Sequence, residues 1–219
     1  MNEIKTLSDR KFIVLVGEFG SGKSELAVNA AIREQRTLVD LDIAKPMNSS
    51  RDFRELLIKH GVAVVGSPQC FDHLELRVLP QMIPQVIYGE SSAVFDVGGG
   101  DSAVTIGQYS DLLNTRSTDV LLVVNIYRPF SKTTAEIVDE KKSLETRTGL
   151  KITGIVCNCN LAESTDCKIA LAGLAEIASA AAETKLPLKF VVLPEWLRDD
   201  VIAVDYPVYY LRRHFNYIK

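Results

Sequence analysis

Residues 12–24 read FIVLVGEFGSGKS, and this stretch decides the fold. An apolar run over 12–16 is followed directly by the pattern G-x-x-x-x-G-K-S over 17–24. Glycines at these spacings let successive backbone N–H groups turn inward around a polyphosphate, and the N-terminus of the next helix adds the positive end of its dipole. The stretch therefore predicts a buried strand, a phosphate-binding loop and a helix.

The residues that end this loop have the chemistry of a magnesium–nucleotide site. Lys23 supplies positive charge for the β- and γ-phosphates, and the hydroxyl of Ser24 is placed to ligate Mg²⁺. The helix then carries apolar residues at spacings that form one packed face: Leu26, Ala27, Ala30 and Ala31. A glycine-rich turn that binds no ligand is the alternative, and the strand–loop–helix context argues against it.

Length and composition predict one soluble globular domain over residues 1–219. The chain is 47% hydrophobic and 24% charged, with a net charge of −3, so no overall field draws it to nucleic acid or anionic lipid. No apolar run approaches the length of a membrane span, and the first residues lack the apolar segment of a signal peptide. Four unevenly placed cysteines do not suggest a disulfide framework, so we expect a cytoplasmic protein.

Short apolar runs alternate with longer helical patterns, which predicts a three-layer α/β fold with a mainly parallel sheet of about seven strands. The predicted strands lie near 12–16, 37–41, 62–65, 92–96, 119–126, 152–157 and 188–193. The predicted helices fill 23–34, 50–60, 73–88, 102–114, 132–148, 166–182 and part of 207–218. Gly149 is placed to end the fifth helix, and Ser164, Thr165 and Asp166 offer N-caps for the next.

Carboxylates follow two of the predicted strands, at the edge where an open parallel sheet binds its ligands. Asp40 and Asp42 alternate at the end of the second strand, so they point to the same side of the extended backbone. One of them could orient an attacking water or reach Mg²⁺ through water, and both could instead be loop or helix-capping acids. The fourth strand ends AVFDVGGG over 93–100, where Asp96 can approach Mg²⁺ and the glycines let the backbone approach the γ-phosphate.

Two later strand ends could form the pocket for the base of a nucleotide. Asn158 ends the strand at 152–157, and its amide can donate to and accept from a base edge. An Asn that caps a turn is the other interpretation of this residue. The last predicted strand continues into VVLPEW at 191–196, whose backbone, including Pro194, could line the same pocket.

The chain resembles the MinD/ParA/Mrp group of P-loop NTPases, within the SIMIBI class, over about residues 11–195. The resemblance is carried by the phosphate loop, the Asp-x-Asp at 40–42, the Asp-x-Gly-Gly at 96–99, Asn158 and the Leu-Pro-Glu at 193–195. It implies that Asp42 orients the attacking water, that Asp96 is the Walker-B acid and that Asn158 contacts the base.

The resemblance also implies a full set of site residues, with ATP and Mg²⁺ as cofactors. The implied catalytic residues are Lys23 and Asp42, and the implied Mg²⁺ ligands are Ser24 and Asp96. The implied nucleotide-binding residues are Gly17, Glu18, Phe19, Gly20, Ser21, Gly22, Lys23, Ser24, Asn158 and Pro194.

Glu18 departs from the pattern of this group. The group usually has a lysine as the second residue of the loop, which reaches the partner subunit's nucleotide in an ATP-bound dimer. A carboxylate cannot neutralise charge on a phosphoryl group, so hydrolysis by the usual dimer is in question and we expect slow intrinsic turnover. Three other cations could substitute, each of which could also be an ordinary surface charge: Lys45, Arg128 and Lys132.

Three functions fit these features. The first is a MinD/ParA-type ATPase that couples its nucleotide state to a protein partner or to a homodimer. The second is a small-molecule kinase or ligase of the dethiobiotin-synthetase kind, with an acceptor pocket near Arg128 and the loop at 66–73. The third is a regulator that binds nucleotide without catalysis. The sequence scarcely separates ATP from GTP.

Three further features receive ordinary structural interpretations. Cys157, Cys159 and Cys167 are interpreted as buried thiols, because structural zinc sites favour wider Cys pairs and a fourth ligand. A cluster shared between subunits, as in the iron–sulfur members of the group that the chain resembles, is the alternative. The aromatic and basic tail at 209–219 is expected to dock on the sheet or on a subunit, so binding to a membrane is not expected. The charge-rich segment at 136–147 is interpreted as a solvated helix face.

Overall fold

A central parallel sheet organises the chain. The computed structural model describes residues 2–41, 55–66, 82–98, 101–200 and 203–214. Within these residues the sheet has eight strands, in the order β3-β2-β4-β1-β5-β6-β7-β8, and every neighbouring pair is parallel. The strands are β1 (Phe12–Val16), β2 (Thr37–Asp40), β3 (Val64–Val65), β4 (Ala93–Asp96), β5 (Thr118–Val124), β6 (Gly154–Cys157), β7 (Leu188–Pro194) and β8 (Val208–Leu211).

Strand β1 lies inside the sheet because all its residues are apolar and both of its faces are covered. Every residue of β1 is buried, and Val14 pairs in register with Phe95 of β4 and Val120 of β5. The rings of Phe12 and Phe95 meet edge to face, with 6.1 Å between their centroids. Parallel strands buried on both faces are expected to be continuous apolar runs, as this one is.

Helices cover both faces of the sheet. The helices of the described residues are α1 (Lys23–Glu34), α2 (Ile83–Tyr88), α3 (Asp101–Gly107), α4 (Ser110–Asn114), α5 (Thr134–Thr148), α6 (Cys167–Leu171) and α7 (Leu174–Thr184), and residues 55–59 are also helical. Buried side chains of α2, α5 and α7 pack with one face of the strands, and those of α1 and Leu57 pack with the other. The predicted three-layer α/β architecture is therefore confirmed.

The termini of two predicted helices are confirmed. Gly149 ends α5 with φ of 65°, and its N–H donates to the carbonyl of Glu145 at 2.9 Å. The side chain of Asp166 caps α6 by accepting from the N–H of Ile169 at 2.7 Å. Two predicted helices are each divided: 102–114 forms α3 and α4, and 166–182 forms α6 and α7.

The eighth strand corrects the prediction of helix within 207–218 for its described part, residues 207–214; residues 215–218 lie outside the described residues. Val208 and Tyr210 pack in the cluster on one face of the sheet, whereas Tyr209 packs in the cluster on the other. This alternation has the period of a strand, and β8 pairs in parallel with the end of β7. The segment docks on the sheet as expected, but it docks as an edge strand.

Candidate nucleotide site

The loop between β1 and α1 has the backbone of a phosphate-binding loop. Gly17, Gly20 and Gly22 all have positive φ, at 144°, 76° and 93°. A Cβ on Gly17 would lie 2.4 Å from the carbonyl oxygen of Val123, and a Cβ on Gly22 would lie 2.3 Å from the side-chain nitrogen of Asn158. At these two positions the loop tolerates only glycine, because the chain conformation and the packed neighbours both exclude a side chain.

Lys23 begins α1 and turns its ammonium back into the loop. Its Nζ donates to the carbonyl oxygens of Gly17 at 2.9 Å and Glu18 at 2.8 Å, and the side chain is buried. The hydroxyl of Ser21 is also buried, and it has no hydrogen-bond partner among the described residues. A buried hydroxyl is costly unless a polar group meets it, and a phosphate of a nucleotide would do so.

Two carboxylates end neighbouring strands beside this loop. Asp96 is the last residue of β4 and is only 2% exposed; it pairs in register with Leu15 of β1 and with Asp40 of β2. Ser24 lies half-buried in the first turn of α1. Hydroxyl and carboxylate oxygens are ligands that Mg²⁺ prefers, so Ser24 and Asp96 fit the metal of a nucleotide complex. The position of Asp40 next to Asp96 is not evident from the sequence.

Asn158 contacts the loop directly. Its side-chain Nδ2 donates to the carbonyl oxygen of Ser21 at 2.7 Å, and the residue is buried. The side chain of Asn160 in turn donates to the carbonyl of Asn158 at 2.9 Å. Pro194 ends β7, and Trp196 follows it with its indole N–H donating to the carbonyl of Thr165 at 3.2 Å. A contact of Asn158 or Pro194 with the base stays a prediction.

Arg128 is the cation that the fold brings to the loop. It lies after β5 in a turn that its N–H closes on the carbonyl of Asn125 at 3.0 Å. Its side-chain Nε donates to the carbonyl oxygen of Gly20 at 2.8 Å. Lys132, four positions later, is exposed. Of the three cations named from the sequence, Arg128 therefore contacts the loop, and Lys45 lies outside the described residues.

Glu140 of α5 is a site residue that sequence reasoning missed. It is only 7% exposed, and one carboxylate oxygen accepts from the hydroxyl of Ser131 at 3.0 Å. The pKa of Glu140 is raised to about 7, chiefly by burial and also by the nearby Glu18 carboxylate, while hydrogen bonds from Ser131 and the Glu18 main chain and the charge of Lys23 lower it. Glu140 therefore faces the phosphate loop.

The burial of Glu140 corrects the interpretation of 136–147 as a solvated face. The sequence does contain a signal: Glu140 lies three residues after Ile137 and four before Leu144, and both of these are buried. These spacings place the carboxylate on the apolar stripe of α5, where a charged residue needs a partner or a function.

The other predicted residues are distributed as follows. Glu18 is half-buried, and its carboxylate accepts from the N–H of Phe19 at 3.2 Å, while Phe19 itself is 68% exposed.

Several predicted features lie outside the described residues: Asp42, Cys70, residues 67–73, residues 99–100 and residues 215–219. Among the described residues, no group of three or more His, Cys, Asp or Glu side chains is arranged to hold a metal ion. No described helix has the length and apolar character that crossing a membrane requires.

The three cysteines near β6 are free thiols. Cys157 and Cys159 are buried, with 3.9 Å between their sulfur atoms. The hydrogen bond between these two thiols raises the pKa of Cys157. Cys167 is half-buried and donates to the carboxylate of Asp200 at 3.2 Å.

The fold is similar to that of known proteins. Cell division protein FtsY from Thermotoga maritima matches with a TM-score of 0.53 and 14% identity, over 85% of this chain and 61% of that one. Chloroplast FtsY from Physcomitrella patens matches with a TM-score of 0.50 and 15% identity, over 83% and 58%. This chain therefore spans less than two thirds of the length of either protein.

At such low identity this likeness shows the fold alone, which is the P-loop NTPase fold that the sequence predicted. No protein family model and no curated protein sequence matches this chain.

Proposed function

We propose that this chain is a Mg²⁺-dependent ATP-binding protein and slow ATPase of the MinD/ParA type, which couples its nucleotide state to a protein partner. The observation that carries the proposal is the buried ammonium of Lys23 inside a glycine-rich loop at the end of β1. The unpartnered hydroxyl of Ser21 at the same place supports it. These groups can exchange their contacts within the loop for contacts with phosphate oxygens.

The residues of the site would position the nucleotide and stabilise charge. The loop N–H groups and Lys23 would hold the β- and γ-phosphates, while Ser24 and Asp96 would hold Mg²⁺. When bound, the metal would neutralise charge on phosphate oxygens. In hydrolysis the water oxygen bonds to the γ-phosphorus, and the bond to the bridging oxygen breaks with its electron pair left on the diphosphate. The water proton passes to the released phosphate or to solvent, and Asp42 is the proposed residue that orients this water.

Two exposed aromatic side chains support a protein partner at this site. Phe19, within the phosphate loop, is 68% exposed, and Phe130, two residues after Arg128, is 70% exposed with φ of 61°. Large apolar side chains in loops that meet the nucleotide are suited to contact a partner that senses nucleotide state. A homodimer and a different protein are both compatible with this surface.

The decisive experiment is a binding titration of the purified chain with ATP, GTP and ADP, with and without Mg²⁺, followed by measurement of phosphate release. We expect micromolar or tighter binding that needs Mg²⁺ and favours ATP over GTP. Lys23→Ala should lower the affinity by about 100-fold or more, because a charge-assisted contact to two phosphates is lost. Lys142→Ala removes an exposed lysine that pairs with Asp139, and it should bind like the wild type. Equal affinities for Lys23→Ala and the wild type would refute the site.

The partner is tested separately. Addition of a candidate partner should raise phosphate release by the wild type. The double variant Phe19→Ser/Phe130→Ser should lose that stimulation while its nucleotide affinity stays unchanged. Asp42→Asn should abolish hydrolysis with affinity retained. A wild type that binds ATP tightly but releases no phosphate under any of these conditions would instead be a non-catalytic regulator.

A further inference from the structure

The carboxylate of Glu18 adds negative charge to the phosphate loop, so the charge of a third phosphate needs another cation. Glu18 is the second residue of the loop, and Glu140 lies near it with its carboxylate buried. Lys23 contributes one positive charge at this place. A nucleoside triphosphate with Mg²⁺ still carries net negative charge, which a second cation from the protein would neutralise.

Arg128 is located to supply that cation. Its Nε donates to the carbonyl oxygen of Gly20 at 2.8 Å, and three of its side-chain atoms lie 3.0–3.5 Å from where a Cβ of Gly20 would be. The guanidinium therefore lies against the loop itself. In the described part of the chain, no hydrogen bond or ion pair engages its two terminal nitrogens. Those nitrogens are a pair of donors with the planar geometry that matches phosphate oxygens.

The loop that carries Arg128 is held by its own contacts. The Arg128 N–H bonds to the carbonyl of Asn125, and the buried Asn125 side chain accepts from the N–H groups of Tyr127 at 3.1 Å and Asn160 at 3.3 Å. Three residues after Arg128, the hydroxyl of the buried Ser131 donates to the carboxylate of Glu140. The side chain of Arg128 is thus presented from a fixed backbone, so binding phosphate would require little ordering of this segment.

We propose that Arg128 binds the terminal phosphate of a nucleoside triphosphate from within the same chain. This inference rests on the nucleotide site of the proposed function. It names the residue that distinguishes a triphosphate from a diphosphate, and it removes the need for a second subunit to supply that charge. In hydrolysis the guanidinium stabilises the charge that develops on the transferred phosphoryl oxygens and on the bridging oxygen.

The test compares triphosphate with diphosphate. Arg128→Ala should weaken binding of Mg²⁺–ATP by about 10- to 100-fold, as expected for loss of hydrogen bonds to a charged group, and should change ADP affinity by less than about threefold. Single-turnover hydrolysis should fall by about 100-fold or more. Lys132→Gln is the matched control, since it removes an exposed cation from the same loop, and it should leave both affinities unchanged.

The main alternative is that Arg128 only supports the loop through its contact with Gly20. A second variant distinguishes this supporting role from a direct contact with phosphate. Arg128→Gln keeps an N–H group that can reach the Gly20 carbonyl but removes the charge. A direct phosphate contact predicts the same selective loss of ATP affinity in Arg128→Gln as in Arg128→Ala, with thermal unfolding close to that of the wild type. Equal losses for ATP and ADP, or wild-type behaviour of Arg128→Gln, would overturn the proposal.

Failure of the proposed function has a different signature. In that case the wild type would bind none of ATP, GTP, ADP and GDP, and Lys23→Ala would be indistinguishable from it, which would overturn the role of Arg128 as well. If the wild type binds nucleotides and only the Arg128 variants behave normally, the nucleotide site stands and the inference about Arg128 is wrong.

Discussion

The side-chain amide of Asn158 donates a hydrogen bond to the main-chain carbonyl of Ser21, with 2.7 Å between nitrogen and oxygen. This contact links the end of β6 to the middle of the phosphate loop, although β5 lies between β6 and β1 in the sheet. Both residues are buried, so water cannot replace the bond if it is lost. The shape of the loop thus depends on a residue that follows it by more than a hundred positions.

Asn158→Ala should therefore affect both stability and binding. We expect the free energy of unfolding to fall by about 1–3 kcal/mol, because the Ser21 carbonyl is left buried and unpaired. Denaturant unfolding measures this change, and Asn114→Ala is the control, since its amide bonds the Gly149 carbonyl at an exposed position. A loss of affinity for both ADP and pyrophosphate would indicate support of the loop, whereas a loss confined to ADP would indicate a base contact. If the stability and both affinities of Asn158→Ala equal those of the wild type, both roles of Asn158 are wrong.

Gly22→Ala should be more damaging than a similar change elsewhere. Gly22 has φ of 93°, and its new Cβ would lie 2.3 Å from the Asn158 nitrogen. Gly61 also has positive φ, at 73°, but no atom of the described residues lies within 4 Å of the added Cβ. Gly61→Ala therefore incurs only backbone strain, about 1–2 kcal/mol, while Gly22→Ala also displaces the amide.

Thermal unfolding of both glycine variants and of the double variant Gly22→Ala/Asn158→Ala checks this account. The double variant should lose less stability than the sum of the two single changes, because removal of the amide relieves the clash. Strict additivity, or equal costs for Gly22→Ala and Gly61→Ala, would show that the clash contributes nothing.

Glu140→Gln should alter how stability depends on pH. Burial raises the pKa of Glu140 from 4.5 to about 7, so the folded protein retains this proton where the unfolded chain has lost it. Its contribution to stability is fully present below about pH 4.5 and is lost as pH rises toward 7. Relative to the wild type, Glu140→Gln should gain about 2–3 kcal/mol between pH 5 and pH 8, because the neutral amide needs no proton.

Urea unfolding at pH 5, 6, 7 and 8 measures this difference. Glu183→Gln, at an exposed position of α7, is the control and should follow the wild type at every pH. If the Glu140→Gln curve stays parallel to that of the wild type, the carboxylate is not protonated in the folded protein near neutral pH.

Asp96→Asn should remove the benefit of Mg²⁺ for nucleotide binding. The amide keeps the size of the side chain but loses the charge that attracts the metal, so the affinity for ADP with Mg²⁺ should fall to within about threefold of its value without Mg²⁺. Titration calorimetry with and without EDTA measures both affinities. Asp111→Asn, on α4, is a matched control. A full Mg²⁺ effect in Asp96→Asn would mean that Asp96 is not a metal ligand.

Features that depend on neighbours in sequence were open to prediction. The strand, loop and helix over 12–34, the end of α5 at Gly149 and the cap at Asp166 follow from local patterns, because each depends on residues within a few positions. The strand β8 was harder. It extends over four residues only, the first three of them buried, which is too short to separate a strand from a helix by period.

By itself the sequence determined that this chain has a phosphate loop of the P-loop NTPase fold and that the second residue of this loop is a glutamate. Only the tertiary structure decided which distant side chains complete the loop: Arg128 on Gly20, Asn158 on Ser21, and Glu140 near Glu18. The physical reason is that the carboxyl ends of parallel strands meet at one edge of the sheet. Which loop residue each distant side chain meets there depends on strand order and side-chain packing, and neither is encoded in local spacing.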